Sequence, residues 1–277
     1  MESRVKEFPF TQADFERVRS MIRHSAGIAL AEGKQEMVYS RLARRLRATG
    51  VSSFSNYLDV LERDSNASEW QSFTNAMTTN LTAFYREPHH FPLLAEHARK
   101  HSQMTVWCAA SSTGEEPYSI AMTLCDAYGT LEPPVRIIAT DIDTDVLATA
   151  ALGVYSAERV ASLQSAQLKR FFLRGRGSQD GMVRVRPEVR RLIEFTQLNL
   201  LAPRWVLTSP FDVIFCRNVM IYFDKPTQRQ ILARFVPLMK PDALLFAGHS
   251  ENFLYVSEAL RLRGKTVYEL AQAPAAK

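Results

Sequence analysis

Apolar residues in the first hundred positions recur at helical spacing. Phe15, Val18 and Ile22 fall three and four apart in FTQADFERVRSMIRHSAGIAL, so they share one face, and Gly27 reads as a stop. Val38, Leu42 and Leu46 repeat the pattern up to Gly50, and Phe54, Tyr57, Leu58 and Leu61 follow with Ser52 or Ser53 as candidate N-caps. A fourth stripe runs through Trp70, Phe73, Met77 and Leu81, with Phe84 in its extension. No strand-like alternation interrupts these residues, which predicts a small all-helical domain with its linker over 1–88. Near Thr105 the pattern changes. Short apolar runs (TVWCAA, VRIIAT, IEFTQL, FDVIFC, ALLFAG) alternate with helical stretches such as EEPYSIAMTLCDAYG, DTDVLATAAL and PTQRQILARFVPLMK. Strands separated by helices require crossovers, so 89–277 is expected to be an α/β domain whose parallel sheet is covered on both faces. RLRGKTVYELA reads as an edge hairpin closing that sheet. The stretch 173–192 breaks the alternation, and GMVRVR within it reads as an inserted β hairpin.

Composition narrows the class without choosing a function. The chain has 277 residues, 46% hydrophobic and 23% charged, which is ordinary for one large domain or a large and a small one. No apolar run approaches the ~18 residues that would cross a bilayer, and MESRVKEFPF lacks the apolar stretch of a signal peptide. Cys108, Cys125 and Cys216 are sparse and lack CxxC spacing, which suits a reducing cytoplasm and argues against a disulfide scaffold or thiolate zinc site. The six histidines show no HExxH spacing, so no metal centre is expected. A net charge of +5 permits an acidic partner without demanding one.

In an open α/β sheet, ligands bind beyond the carboxyl ends of the strands, so residues at those ends are the candidates. After TVWCAA comes SSTGEEPYS, where Gly114 allows close backbone approach. Glu115 and Glu116 would repel a pyrophosphate and welcome a cation, or simply stabilise a helix N-terminus. After the second run, Asp141 can accept both hydroxyls of a ribose, because Asp143 and Thr144 are better placed to cap the next helix. No GxGxxG is present, which counts against a dehydrogenase. Asn199 ends the third run with a polar group able to hydrogen-bond adenine. The fourth runs into Arg217, Asn218 and Tyr222, where Tyr222 is either a packing residue or an aromatic face for a sulfonium. GHSEN at 248–252 is not a GxSxG elbow and reads as lining or structure rather than as a hydrolase site.

The stretches TTNLTAFYRE (78–87), STGEEPYS (112–119), ATDIDTDVL (139–147), Asn199–Leu200, FCRNVMIYFDKPTQ (215–228) and FAGHSENF (246–253) occur in that order. With the helical start, they make nearly the whole chain resemble the chemotaxis-receptor methyltransferases (CheR). The resemblance implies a class I, Rossmann-like methyltransferase sheet with a helical N-terminal domain and an inserted β subdomain. It also implies a cytoplasmic protein-glutamate O-methyltransferase that uses S-adenosylmethionine to esterify chemoreceptor glutamates, leaving S-adenosylhomocysteine. Asn80, Thr82, Arg86, Glu116, Asp141, Asn199, Leu200, Arg217 and Asn218 then match cofactor contacts. Arg86 and Tyr222 would stand nearest the transferred methyl.

A glutamate acceptor is already ionised at neutral pH, its ordinary pKa being about 4.3, so the reaction needs no general base. Attraction between carboxylate and sulfonium fades in the transition state, which leaves alignment and water exclusion to supply much of the rate. Arg41, Arg44, Arg45 and Arg47 lie on the arc opposite Val38, Leu42 and Leu46, a basic face suited to an acidic receptor helix. Arg184, Arg186, Arg190 and Arg191 mark the inserted hairpin, whose edge could pair with an extended peptide. Some relatives tether themselves this way to a receptor tail. A nucleic-acid methyltransferase is the chief rival, but basic surface interleaved with exposed aromatics is lacking. An adaptor that keeps the fold without the activity is the other.

Overall fold

The computed structural model describes residues 6–63, 67–207 and 210–271. The chain divides into two compact units between Thr79 and Asn80. The first contains α1 (Gln12–Ala26), a 3-10 turn at Glu32–Lys34, α2 (Gln35–Thr49), α3 (Phe54–Arg63) and α4 (Ala67–Met77). Phe15, Val18, Ile22, Val38, Leu42, Leu46, Phe54, Leu58 and Phe73 are fully buried, so the spaced stripes are the helix faces that meet. A capping box opens α1. Thr11 Oγ1 accepts the Asp14 N–H at 3.1 Å, and Asp14 Oδ2 accepts the Thr11 N–H at 2.9 Å. Ser53 caps α3 through the Asn56 N–H at 3.2 Å.

The stripe extended through Leu81 fails. α4 ends at Met77, residues 78–87 are not helical, and Leu81 is 77% exposed. Tyr85 and Glu87 have φ of 52° and 54°, which no continuing helix allows. Residues 80–88 instead pack into the second unit. Phe84 sets its ring edge-on to Tyr155 and Phe172 at 5.1 and 5.7 Å, and the Tyr85 N–H donates to Ser119 Oγ at 2.9 Å. The division therefore falls upstream of the expected 88/89.

The second unit runs α5 (His90–Ala98), β1 (Met104–Cys108), α6 (Glu115–Tyr128), β2 (Val135–Asp141), α7 (Thr144–Leu152), β3 (Val154–Ser156), α8 (Ser165–Phe171), β4 (Phe172–Arg174), β5 (Met182–Val185), α9 (Pro187–Arg190), β6 (Ile193–Gln197), β7 (Phe211–Cys216), α10 (Lys225–Phe235), β8 (Met239–Ala247), β9 (Leu260–Gly264) and β10 (Val267–Leu270). Seven strands form the main sheet in the order β6-β2-β1-β7-β8-β10-β9. The first five are parallel, and the β9–β10 hairpin closes the edge antiparallel. Alternate residues feed two cores. Val106, Cys108, Ile137, Val213, Phe215 and Phe246 pack on one face, Trp107, Ile138, Ile214, Cys216 and Leu245 on the other. Burial on both sides is why these strands read as unbroken apolar runs. The insert is larger than its hairpin. β4 and β5 pair as expected, but β3 joins β5 to give a second sheet of order β3-β5-β4.

Candidate active site

Strand order reverses between β1 and β7. From β1 the chain steps outward to β2 and β6, then returns to β7 on the other side. The crevice beyond the carboxyl ends of β1 and β7 is therefore where a ligand is expected. The loop after β1 is held tightly. Gly114 has φ 99°, and a Cβ there would meet Tyr155 Oη at 2.7 Å and Ala150 Cβ at 2.9 Å, so only glycine fits. Tyr155 donates to the Thr113 carbonyl at 2.7 Å. Glu115 is completely buried and accepts from Thr113 Oγ1 at 2.6 Å and from Arg159. Of the two glutamates, Glu115 thus anchors the loop to the insert, and Glu116 turns elsewhere.

Asp141 sits at the end of β2. Its Oδ2 accepts the Ser112 N–H at 2.8 Å and its Oδ1 accepts the Asp143 N–H at 3.0 Å. Burial raises its carboxyl above the usual range, against the pull of those amides. Asp143 is the helix cap, accepting the Asp145 and Val146 N–H groups at 2.9 and 3.2 Å. Asn80 Nδ2 donates to the other oxygen of Asp143 at 2.8 Å, and the Asn80 carbonyl accepts Ser112 Oγ at 3.3 Å. Asn80, Ser112, Asp141 and Asp143 therefore form one network at the end of β2.

A second network centres on Arg217, whose side chain is 1% exposed. Its guanidinium donates to Glu116 Oε2 at 2.7 Å and to the Arg86 carbonyl at 2.5 Å, and lies 3.3 Å from Glu87 Oε2. Burial pushes Glu116 up while Arg217 pulls it down, with the balance raised. Burial would also raise Glu87, but the His249 hydrogen bond and the Arg217 charge outweigh it and lower Glu87 to about 2. Glu87 Oε1 accepts from His249 Nδ1 at 3.0 Å, the His249 N–H at 3.2 Å and Asn218 Nδ2 at 3.3 Å. Glu251, only 4% exposed, clamps the loop after β7. It accepts four backbone N–H groups, from Gly248 (2.6 Å), Asn218 (2.9 Å), Val219 (3.0 Å) and Met220 (2.7 Å). That clamp holds Asn218 at φ 58°. GHSEN is expected to line the site or support structure, and Glu251 does the latter; a glutamate in a loop carries no sign of which amides will converge on it.

The remaining expected residues stand as follows. Arg86 is half-buried and donates to the Leu81 carbonyl at 2.8 Å, and Thr82 is half-buried on the same segment. Tyr222 ends a 3-10 turn at Met220–Tyr222 and is half-buried. Asn199 Oδ1 accepts the Leu201 N–H at 2.8 Å, and Leu200 is buried. In the first unit, three of the four arginines have partners that the α2 pattern could not reveal. Arg41 donates to the Met77 and Thr78 carbonyls at 3.1 and 2.6 Å, Arg45 pairs with Glu69 at 2.6 Å, and Arg47 pairs with Glu7 at 2.6 Å. Arg44 is exposed.

The donor set fits an adenosine-linked sulfonium. Asp141 accepts the Ser112, Asp143 and Ile142 amides, and a carboxylate has about four lone-pair sites, so acceptor capacity remains for a ribose hydroxyl. Glu87, Glu116, Asp141 and Glu251 outnumber Arg86 and Arg217, a balance that suits a cation and would repel a pyrophosphate.

Comparison with known proteins identifies the family. Residues 80–268 match the family model "CheR methyltransferase, SAM binding domain", and residues 13–78 match "CheR methyltransferase, all-alpha domain". The chain is 55% identical over 263 residues to the "Chemotaxis protein methyltransferase" of Escherichia coli (strain K12), covering 95% of this chain and 92% of that protein. It is 53% identical over 270 residues to "Chemotaxis protein methyltransferase 2" of Pseudomonas aeruginosa, covering 96% of each. No helix among the described residues is long and apolar enough to cross a membrane. The all-helical unit and the Rossmann-like unit are thus each matched by a model of the same family, and the chain belongs to the CheR family of S-adenosylmethionine-dependent methyltransferases.

Proposed function

We infer that this methyltransferase esterifies glutamate side chains of bacterial chemoreceptors, working in the cytoplasm as part of sensory adaptation. The observation that carries the reading is Asp141, held at the end of β2 by backbone amides with acceptor capacity left for a ribose hydroxyl, together with the Glu116–Arg217 pair. The names of the relatives, chemotaxis protein methyltransferases, support the same substrate setting. When bound, S-adenosylmethionine supplies an electrophilic methyl on a positively charged sulfur.

In this reading Asp141 holds the ribose hydroxyls, and Asn80, Thr82, Asn199, Leu200 and Asn218 complete the nucleoside contacts. Glu116 and Arg217 offer a carboxylate and a guanidinium to the ammonium and carboxylate of the methionine end. Arg86 orients the acceptor carboxylate by a charge-assisted hydrogen bond, and Tyr222 fixes geometry near the reacting atoms. The acceptor arrives ionised, so no side chain has to remove a proton; the protein's task is to align it and exclude water. Arg44 and its neighbours on α2 receive an acidic receptor helix. β4, an outer strand of the small sheet carrying exposed Leu173, offers an edge to an extended receptor tail.

The test uses the full chain, receptor-containing membranes and methyl-labelled S-adenosylmethionine. Label released as methanol in mild alkali is expected, because a glutamyl ester hydrolyses where an N-methyl group does not. Asp141→Ala should weaken cofactor binding in calorimetry by at least about tenfold, the worth of one to two hydrogen bonds to a charged group. Alkali-stable label, or unchanged affinity in the variant, overturns the reading.

A further inference from the structure

At the opposite end of the sheet, three side chains with metal-binding atoms converge. His97 lies in the last turn of α5, His101 follows four residues later, and Asp242 is the fourth residue of β8. One ring nitrogen from each histidine and a carboxylate oxygen lie within 4.8 Å of one another. Asp242 is five residues before Ala247, which puts the cluster about 16 Å along β8 from the strand's carboxyl end at 3.3 Å per residue. It is therefore separate from the methyl-transfer site.

Hydrogen bonding around the cluster is unusual. His101 Nδ1 faces the His97 carbonyl at 2.9 Å, and a carbonyl can only accept, so the proton is on Nδ1. The other nitrogen, Nε2, lies 2.9 Å from Asp242 Oδ2. A lone pair facing a carboxylate at that distance requires a cation between them, either a second proton or a metal ion. A backbone carbonyl bound to the far ring nitrogen is the arrangement that orients metal-ligating histidines. Tyr128 fixes the same turn by donating to the His101 carbonyl at 2.8 Å. His97 is 7% exposed, and its Nε2 is buried without a hydrogen-bond partner. Two ligands at the zinc–imidazole distance of about 2.0–2.1 Å stand about 3.3 Å apart in a tetrahedron, so the observed 2.9 Å needs only a small opening. The nearby Arg263 is held by Glu269 at 3.6 Å, and Lys240 by the buried Asp212 at 2.8 Å. Asp242, 62% exposed, leaves the cluster open to solvent for a fourth ligand.

We propose that His97, His101 and Asp242 form a divalent transition-metal site, best suited to zinc, that clips the α5–β1 connection to β8. Two imidazoles and one carboxylate are borderline ligands that favour zinc over magnesium or calcium. The site pins structure and takes no part in methyl transfer.

The experiment titrates metal-stripped protein with zinc chloride against a chromophoric chelator and follows Tm in parallel. One zinc per chain is expected, with a rise in Tm that magnesium chloride does not give. His101→Ala and Asp242→Asn should each weaken zinc binding by at least about tenfold and remove the Tm rise, while the exposed His24→Ala leaves both unchanged. Asp242 is a surface residue, so D242N reports on the site without loss of the fold. Zinc affinity in D242N equal to the parent, or equal losses in His24→Ala and His101→Ala, would overturn the proposal and leave an imidazolium–carboxylate pair.

Discussion

Replacing Glu251 by glutamine tests the clamp at the heart of the site with almost no change of shape. Each carboxylate oxygen accepts two backbone amides, Oε2 from Gly248 and Asn218, Oε1 from Val219 and Met220. Glutamine keeps one oxygen and turns the other into an NH2 donor, so two amide N–H groups would face a donor instead of an acceptor. An unsatisfied buried donor costs about 1–3 kcal/mol. Two of them cost about 2–6 kcal/mol, and relief from burying a charge offsets part of this, leaving an expected loss of about 2–4 kcal/mol. The same amides hold Asn218 at φ 58°, so its release should also weaken cofactor binding. Urea unfolding gives the stability and calorimetry with S-adenosylmethionine gives the affinity. A variant within about 0.5 kcal/mol of the parent, the usual range for surface changes, with unaltered affinity, would refute the clamp.

Glu87 predicts an acid-sensitive term. Its pKa is lowered to about 2, so its stabilisation is complete above the ordinary value of about 4.3 and is lost as pH falls toward 2. The full span is about 3 kcal/mol, of which roughly 1 kcal/mol is gone at pH 3.5; denaturant unfolding should show this slope in the parent and a flatter one in Glu87→Gln. Gly114→Ala drives a Cβ against Tyr155 Oη and Ala150 at φ 99°, and should cost about 1–3 kcal/mol of stability by thermal unfolding. Tyr222→Phe should lower kcat while cofactor affinity stays unchanged, which single-turnover kinetics and calorimetry would separate. Arg44→Glu should reduce methylation of receptor membranes most at low salt, whereas charge reversal at Arg45 would set a like charge against Glu69 and confuse docking with folding.

What the sequence disclosed tracks how local the cause was. Helix stripes such as Val38, Leu42 and Leu46 are dictated by a single segment's period, and they are buried as the spacing predicts. The parallel strands were equally plain because both faces are covered. Leu81 misled because its spacing from Met77 continues the stripe of α4, but the helix stops at Met77 and leaves Leu81 exposed. β3 escaped notice because three residues carry no periodicity, and it forms only where β5 accepts it. Asp141 could be singled out at a strand end, and Asp143 is the cap that leaves it available. The partners of Arg41, Arg45 and Arg47 are invisible from α2, since Glu69, Glu7 and the end of α4 approach only after folding. The expectation of no metal centre passed over His97 and His101, which are four apart, because the third group, Asp242, arrives from a strand more than a hundred residues later.

Glu115 carries one last implication. It lies wholly out of solvent, and its counter-charge, Arg159, belongs to the stretch between β3 and α8. Excising the small sheet together with Arg159 would leave the buried Glu115 carboxyl, in the first turn of α6, without its counter-charge. A shortened variant would keep only the Thr113 hydroxyl on that carboxyl, so an uncharged residue at position 115 should restore part of the stability lost with the sheet.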